Sequence, residues 1–274
     1  MMKSPAIVRD VIHFGGKIRR WLRVIAALLR KEEEVRREAP VLSILELLEP
    51  LFLIASLMVF RFTFERSGSP TANLAPLGGS ILLYYATGFI PKYFFISISF
   101  KRISYAVAPN RRRFPIENRL DDLIVHLFFR LIDYTVLAFL VLGTMYLLGN
   151  KEAMPHDFRP IVPALAAIAA LGFGWGLLNQ VLRRAIWFWY FISIGLNRAM
   201  LLMSGCLFLP DLLAPDIRWW ISWNPEMHAI ALFRTAFYPQ YPKLLLDTSY
   251  MAYCAIFALL FGLALERVTR RYQT

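Results

Sequence analysis

Charge is scarce in this chain, and cysteine is scarcer. Of 274 residues, 18% are Asp, Glu, Lys or Arg, against about 25% in soluble domains. The two cysteines, Cys206 and Cys254, both lie inside apolar stretches, so neither a disulfide framework nor a metal-ligand spacing follows from them. No G-x-x-x-x-G-K-[ST] phosphate loop is present, which excludes ATP binding by that device. H-E-x-x-H, G-x-S-x-G and clustered Cys/His ligands are missing too. The four histidines, His13, His126, His156 and His228, are scattered. His228 has Glu226 nearby, but no nucleophile is arranged with them. No apolar run ending at a small-residue cleavage site follows the basic N-terminus, so the chain is expected to insert uncleaved.

Apolar surface is what the sequence has in excess. It is 58% hydrophobic and 15% aromatic, with a mean hydropathy of +0.49. These values predict an all-α integral membrane protein whose solvent is the bilayer. The net charge of +12 would suggest nucleic acid in a soluble protein. In a polytopic one it reflects basic residues gathered in cytoplasmic loops.

Residues 1–40 form a cytoplasmic N-terminal segment with ten Lys or Arg and five acids. Ile18, Trp21, Leu22, Ile25, Leu28 and Leu29 follow a helical apolar stripe, with basic residues opposite. Such a helix lies in the headgroup region or docks on a partner. Residues 41–274 then read as one domain of six spans. The first, Val41–Phe62, carries Glu46, Glu49 and Pro50 in its first third. The second, Leu77–Phe100, contains Pro91 and an inward-facing Lys92. The third, Leu123–Leu148, has His126, Arg130 and Asp133 on one face, a stripe usually satisfied by ion pairing. The fourth, Ile161–Val181, alternates Gly172, Gly174 and Gly176. With no strand before them these glycines are not a dinucleotide fingerprint; small residues instead let membrane helices approach closely. The fifth, Trp187–Leu209, opens on WFWYF and holds Asn197 and Arg198 as buried polar residues. The sixth is Thr248–Leu265.

Between the fifth and sixth spans the chain does not make a polar loop. The stretch Leu196–Tyr238 gives two short, aromatic-rich pieces broken at Pro215 and at Asn224-Pro225. Each is too short to cross a bilayer, which takes about 20 helical residues, and too apolar for water. They are expected to form a re-entrant or interfacial helical hairpin. Such a shape is tolerated where protein or a water-filled cavity satisfies the backbone. Asn224 would cap its second helix with Pro225 at the first position. Arg234 would need Asp211, Asp216 or Glu226 as its partner.

Loop charges orient this map. Of 31 basic residues, 21 fall in the N-terminal segment, residues 101–119, the Arg183-Arg184 loop and the tail. The excess alternates at every loop, which places both termini in the cytoplasm and the hairpin outside.

Several segments taken in order resemble the permease subunit of polysaccharide-export ABC transporters of the ABC-2, capsule-exporting type. LLEPLFL (Leu47–Leu53) resembles the family's Leu-Glu-Pro at the start of the first span, putting Glu49 and Pro50 on that motif. MSGCLFLP (Met203–Pro210) resembles its Ser-Gly segment. WNPEMHAIALFRTAFYPQY (Trp223–Tyr241) resembles its Trp-Asn-Pro, His and Phe/Ile-Arg run, and FGLALERVTRR closes the chain as capsule-type members do. Before the first span the family's Arg-Tyr-Gly-like segment is replaced by VRREAPVLSIL.

The resemblance implies a non-enzymatic, channel-forming subunit. It would be a homodimer working with two copies of a separate ATPase, which binds ATP and Mg while this chain binds no cofactor. The substrate would be a lipid-linked capsular or O-antigen-like polysaccharide crossing the inner membrane toward periplasmic and outer-membrane components. Arg111, Arg112 and Arg113 fall in the loop where this class couples to its ATPase, and they are expected to contact it or anionic headgroups. Trp219, Trp220, Trp223, Asn224, Pro225 and Arg234 would build an outward gate. Tyr84, Tyr85 and Tyr93 are candidates for stacking on sugar faces in a channel, although interfacial belts also enrich aromatic residues. The alternatives are a membrane-embedded transferase or hydrolase acting on lipid-linked glycans, and an ABC-2 permease for a non-sugar lipid or drug.

Overall fold

The strongest structural constraint on an apolar chain in a bilayer is that its backbone must satisfy itself, and helices do this within one segment. The computed structural model describes residues 21–34, 36–37, 40–66, 77, 80–100 and 119–271, and no strand occurs among them. The helices are α1 (21–34), α2 (Pro40–Arg66), α3 (Ile81–Ser99), α4 (Arg119–Leu147), α5 (Ile161–Ala185), α6 (Trp189–Leu202), α7 (Pro215–Ser222), α8 (Pro225–Arg234) and α9 (Thr248–Arg271).

Five of these, α2, α3, α4, α5 and α9, are long and apolar enough to cross a membrane. They match five of the six expected spans. The expected fifth, Trp187–Leu209, does not form one continuous helix. It gives α6, which has 14 residues and rises about 21 Å, short of a hydrocarbon core of about 30 Å. The break has local causes. Ser204 Oγ donates to the Leu201 carbonyl at 2.6 Å. Gly205 turns the chain at φ +73°, a conformation that favours glycine. Pro210 follows with no N–H to donate.

The chain divides into two compact units, residues 1–46 with 110–129, and 47–109 with 130–274. In the first, α1 is held on the foot of α4. The Trp21 indole donates to Asp121 at 2.9 Å, the Arg36 guanidinium lies 4.4 Å from the Phe129 ring centre, and Glu32 approaches His126 Nδ1 at 3.9 Å. Leu28 is buried, while Trp21 and Leu22 stay exposed.

In the second unit α3 is the core, buried from Leu83 to Ser99. Pro91 sits inside it without ending it. Helix α5 packs on α3, α8 and α9, and its three glycines explain how. A Cβ on Gly172 would meet Ile98 Cβ at 3.2 Å, and one on Gly176 would meet the Ile98 carbonyl at 3.0 Å, so both face α3. A Cβ on Gly174 would fall inside the Ala258 carbonyl, and one on Gly262 would meet the Gly174 Cα at 3.0 Å. The alternation seen in the sequence therefore seats α5 against two neighbours at once. On α4, Arg130 pairs with Asp133 at 3.6 Å, the ion-pair outcome expected for that stripe.

Candidate functional site

The short helices α7 and α8 begin where the proline and asparagine spacing predicts. Pro215 starts α7 and Pro225 starts α8. Asn224 Oδ1 accepts from the Glu226 N–H at 3.1 Å, closing the N-terminal cap. Its Nδ2 donates to the Met200 carbonyl at 3.4 Å, which ties the bend to α6.

Helix α8 lies antiparallel on α3, fixed at two points. At one, Lys92 Nζ meets Glu226 Oε2 at 2.7 Å with both side chains sealed from solvent. At the other, the guanidinium of Arg234 lies 3.8 Å from the Tyr84 ring centre. Eight residues separate Tyr84 from Lys92 on α3, and eight separate Glu226 from Arg234 on α8. Each interval is about 12 Å of helix, so the two contacts fix one register.

Arg234 is fully buried, and its partners differ from those expected. No carboxylate among the described residues is bonded to it. Glu226 is taken by Lys92, Asp216 is exposed, and Asp211 accepts from the Leu245 N–H at 3.2 Å. Burial raises the Asp211 carboxyl above its ordinary range, against the lowering effect of that bond. Arg234 instead donates to carbonyls: Gly205 at 2.7 Å, Tyr84 at 3.0 Å and Cys206 at 3.4 Å. The reason is the break after α6. Residues 203–209 leave carbonyls without helical partners, and a guanidinium is a rigid fork of five donors. Tyr84 Oη also donates to Gly205 at 3.0 Å, and Cys206 Sγ donates to the Gly88 carbonyl at 3.3 Å. Gly88 makes room for this contact, since a Cβ there would meet Arg234 Nη2 at 2.5 Å and Cys206 Cα at 3.2 Å.

His228 joins the hairpin to the start of α9. Its Nδ1 accepts from the Asp247 N–H at 3.1 Å, so Nε2 carries the proton and donates to the Ser222 carbonyl at 2.8 Å. Tyr250 Oη donates to the Trp223 carbonyl at 2.8 Å. Both ring nitrogens of His228 are therefore used structurally, and the Tyr250 ring lies edge-on to it at 5.2 Å.

The tryptophans of α7 and of its C-terminal cap are open to the surroundings. Trp219, Trp220 and Trp223 are all more than half exposed, with ring centres 4.8 Å apart for Trp219 and Trp220 and 5.6 Å for Trp219 and Trp223. Tyr84, Tyr85 and Tyr93 are buried within the subunit, Tyr84 inside the Arg234 clamp. Pro50 is buried inside α2, and Glu49 lies close enough for its charge to bear on Tyr93 and Tyr134. Arg198, expected to be buried, is exposed on α6, and it shares a face with the exposed Phe191 and Leu202 at i−7 and i+4. Arg111, Arg112 and Arg113 lie outside the described residues. The sequence marks Lys92, Glu226 and Arg234 one by one but does not pair them. The two eight-residue intervals were the available signal. Nothing in the sequence marked Gly88.

Gly205, Cys206, Glu226 and Arg234 all fall within the motifs that carry the family resemblance, and comparison with known proteins agrees with it. Two polysialic acid transport proteins KpsM of Escherichia coli are 26% and 24% identical over 192 residues, which is 69% of this chain and 73% of each of theirs. The chain resembles a polysaccharide-export ABC permease. No protein-family model matches it. The likeness is to transport proteins, not enzymes, and the five long apolar helices suit a multi-pass membrane protein.

Proposed function

We propose that this chain is the channel-forming permease of an ATP-driven exporter that moves a lipid-linked capsular or O-antigen-like polysaccharide across the inner membrane, working as a homodimer with two copies of a separate ATPase. The similarity to the two polysialic acid transport proteins over 192 residues carries this reading. In it both termini and the loop holding Arg111, Arg112 and Arg113 face the cytoplasm, as the loop charges require, and that loop meets the ATPase. ATP and Mg act on the ATPase.

Residues 187–209 make the fifth crossing. Helix α6 supplies about 21 Å, and the seven residues that follow reach further per residue than a helix does. Their irregular backbone is acceptable at membrane depth because Arg234 and Tyr84 satisfy it inside protein. The α7–α8 hairpin then re-enters from the outer side, with α8 reaching eleven residues down α3 to Lys92. The exposed Trp219, Trp220 and Trp223 face the exit, where rings can stack on the C–H faces of sugars. Periplasmic and outer-membrane components receive the polymer.

Deletion of the gene tests this. The expected result is loss of surface polysaccharide, accumulation of polymer inside the cell, and rescue by the intact chain. Normal surface polymer in the deletion strain would sink the proposal.

A further inference from the structure

Helix α6 has 14 residues, and Ser193 alone among them is buried. Phe191, Gly195, Arg198, Ala199 and Leu202 share one exposed arc of it, at the spacing of a helix face. No acid stands anywhere on the helix, WYFISIGLNRAMLL. Arg198 has no hydrogen bond, ion pair or ring contact with any described residue. A Cβ on Gly195 would meet nothing within 4 Å. That glycine is therefore not required by packing inside the subunit, unlike Gly172, Gly174 and Gly176 on α5, and it leaves bare backbone one turn from the guanidinium.

In the proposed crossing α6 starts from the cytoplasmic side, just after Arg183 and Arg184. Arg198 is nine residues on from Trp189, about 14 Å of helix, close to the middle of a hydrocarbon core of about 30 Å. Snorkelling relieves a cation near a helix end, not one at this depth. Charges inside a membrane almost always face a bundle interior or a water-filled cavity, where they find partners. A second copy offers little to pair with. Its Asp133 already takes Arg130 and its Glu226 takes Lys92, while Glu46 and Glu49 are engaged as well. Contact of two α6 helices across a twofold axis would set arginine against arginine. A water-filled path that carries an anion satisfies the charge where lipid and protein do not.

We propose that Arg198 lines the polymer path and pairs with acidic groups of the exported polysaccharide, so that the exporter prefers a polymer carrying carboxylate or phosphate to a neutral one. This rests on the export reading above. A homodimer presents two such guanidinium groups, each a planar fork that matches carboxylate or phosphate. The bare backbone at Gly195 leaves room for a sugar ring beside it. Lipid phosphates stay at the bilayer surface, so at this depth the anion comes from the polymer.

Two measurements test it. In the first, the full chain in phosphatidylcholine nanodiscs is titrated calorimetrically with oligogalacturonate, which has a carboxylate on every sugar, and with dextran of equal length, which has none. Oligogalacturonate is expected to bind about tenfold more tightly, the order of effect of one hydrogen bond between charged groups. Arg198→Gln should abolish that preference and Arg198→Lys should keep part of it, both with the parent's melting temperature and dimer mass. Equal binding of the two probes by the parent overturns the proposal, and that comparison needs no variant to fold. So does a preference that survives Arg198→Gln, or an Arg198→Gln chain that melts early or dissociates, since the arginine would then hold protein to protein. In the second, Arg198→Gln is returned to the deletion strain, with surface polymer expected to fall about tenfold. Normal surface polymer in the deletion strain itself sinks the export reading, and this one with it. Loss of polymer on deletion with parental export by Arg198→Gln overturns this proposal alone.

Discussion

Replacing Glu226 by Gln is the sharpest perturbation of the hairpin, because it leaves Lys92 buried with its charge uncompensated. The carboxylate meets the ammonium at 2.7 Å with side-chain exposures of 3% and 0%. Removing one partner of such a pair costs about 3–5 kcal/mol in soluble proteins. In membranes a lysine at the centre of a helix costs about 2.5–3.5 kcal/mol by insertion scales. Both routes give about 3 kcal/mol for Glu226→Gln, or about a hundredfold in the balance between docked and undocked hairpin. The double variant Lys92→Met with Glu226→Leu removes both charges at similar volume, a change that is often neutral or stabilising. The pair therefore predicts a severe single variant and a mild double one. The assay is thermal unfolding of the detergent-solubilised chain, monitored by size-exclusion chromatography. A double variant as unstable as Glu226→Gln would refute the reasoning, since the loss would then come from packing and not from a stranded charge. A single variant indistinguishable from the parent would refute it as well, by showing that water reaches Lys92.

Gly174→Ala places a methyl group against the Ala258 backbone, so the α5–α9 contact must open. Overpacking of this kind costs about 1–3 kcal/mol, and a lower melting temperature in detergent checks it. Asn224→Ala removes the cap on α8 and should cost about 0.5–2 kcal/mol, read as faster proteolysis within 214–225 and an unchanged melting midpoint for the rest. Trp219→Ala with Trp220→Ala removes two exposed rings and should leave the stability within about 0.5 kcal/mol of the parent while lowering surface polymer. Unchanged export would reject a role for that pair at the exit.

Span positions were legible because a bilayer imposes length and apolarity directly on the sequence, and α2, α3, α4, α5 and α9 show that imprint. The short helices α7 and α8 were legible for a different reason. Pro215, Asn224 and Pro225 act locally, through missing donors and a side-chain cap, and need no tertiary context. The fifth segment forms one helix only in part, which was not legible because hydropathy does not distinguish a helix from an apolar irregular segment. From Trp187 to Leu209 the chain is apolar apart from Asn197 and Arg198, yet the helix ends at Leu202 and Gly205 turns the chain at φ +73°. The partner of Arg234 was missed on the same account. A search for carboxylates assumes that a buried cation needs an anion. The need here was created by the unwound backbone, which the sequence shows only through Ser204-Gly205 and Pro210. Arg111, Arg112 and Arg113 lie outside the described residues.

The choice of arginine at 234 follows from what the broken segment and α3 present together. Three carbonyls, those of Gly205, Tyr84 and Cys206, converge on one guanidinium, and the Tyr84 ring covers its face. A lysine could reach one or two of these carbonyls as a point charge, but it would lose the planar stacking and the fixed fork. Arg234→Lys should therefore be a severe change despite keeping the charge. Gly205 keeps the Tyr84 hydroxyl and the Tyr84 carbonyl keeps Thr87 Oγ1, so the loss falls on the Cys206 carbonyl, about 1–3 kcal/mol, and on the stacking against the Tyr84 ring. The expected reading is a destabilised chain whose Cys206, fully buried in the parent, becomes open to N-ethylmaleimide. The same reading should come from Gly88→Ala, which displaces Arg234 without altering it. If Arg234→Lys kept Cys206 protected while Gly88→Ala exposed it, charge alone would hold the segment and the carbonyl account would fail. If both exposed it, the guanidinium geometry would be what keeps residues 203–209 in place beside α3.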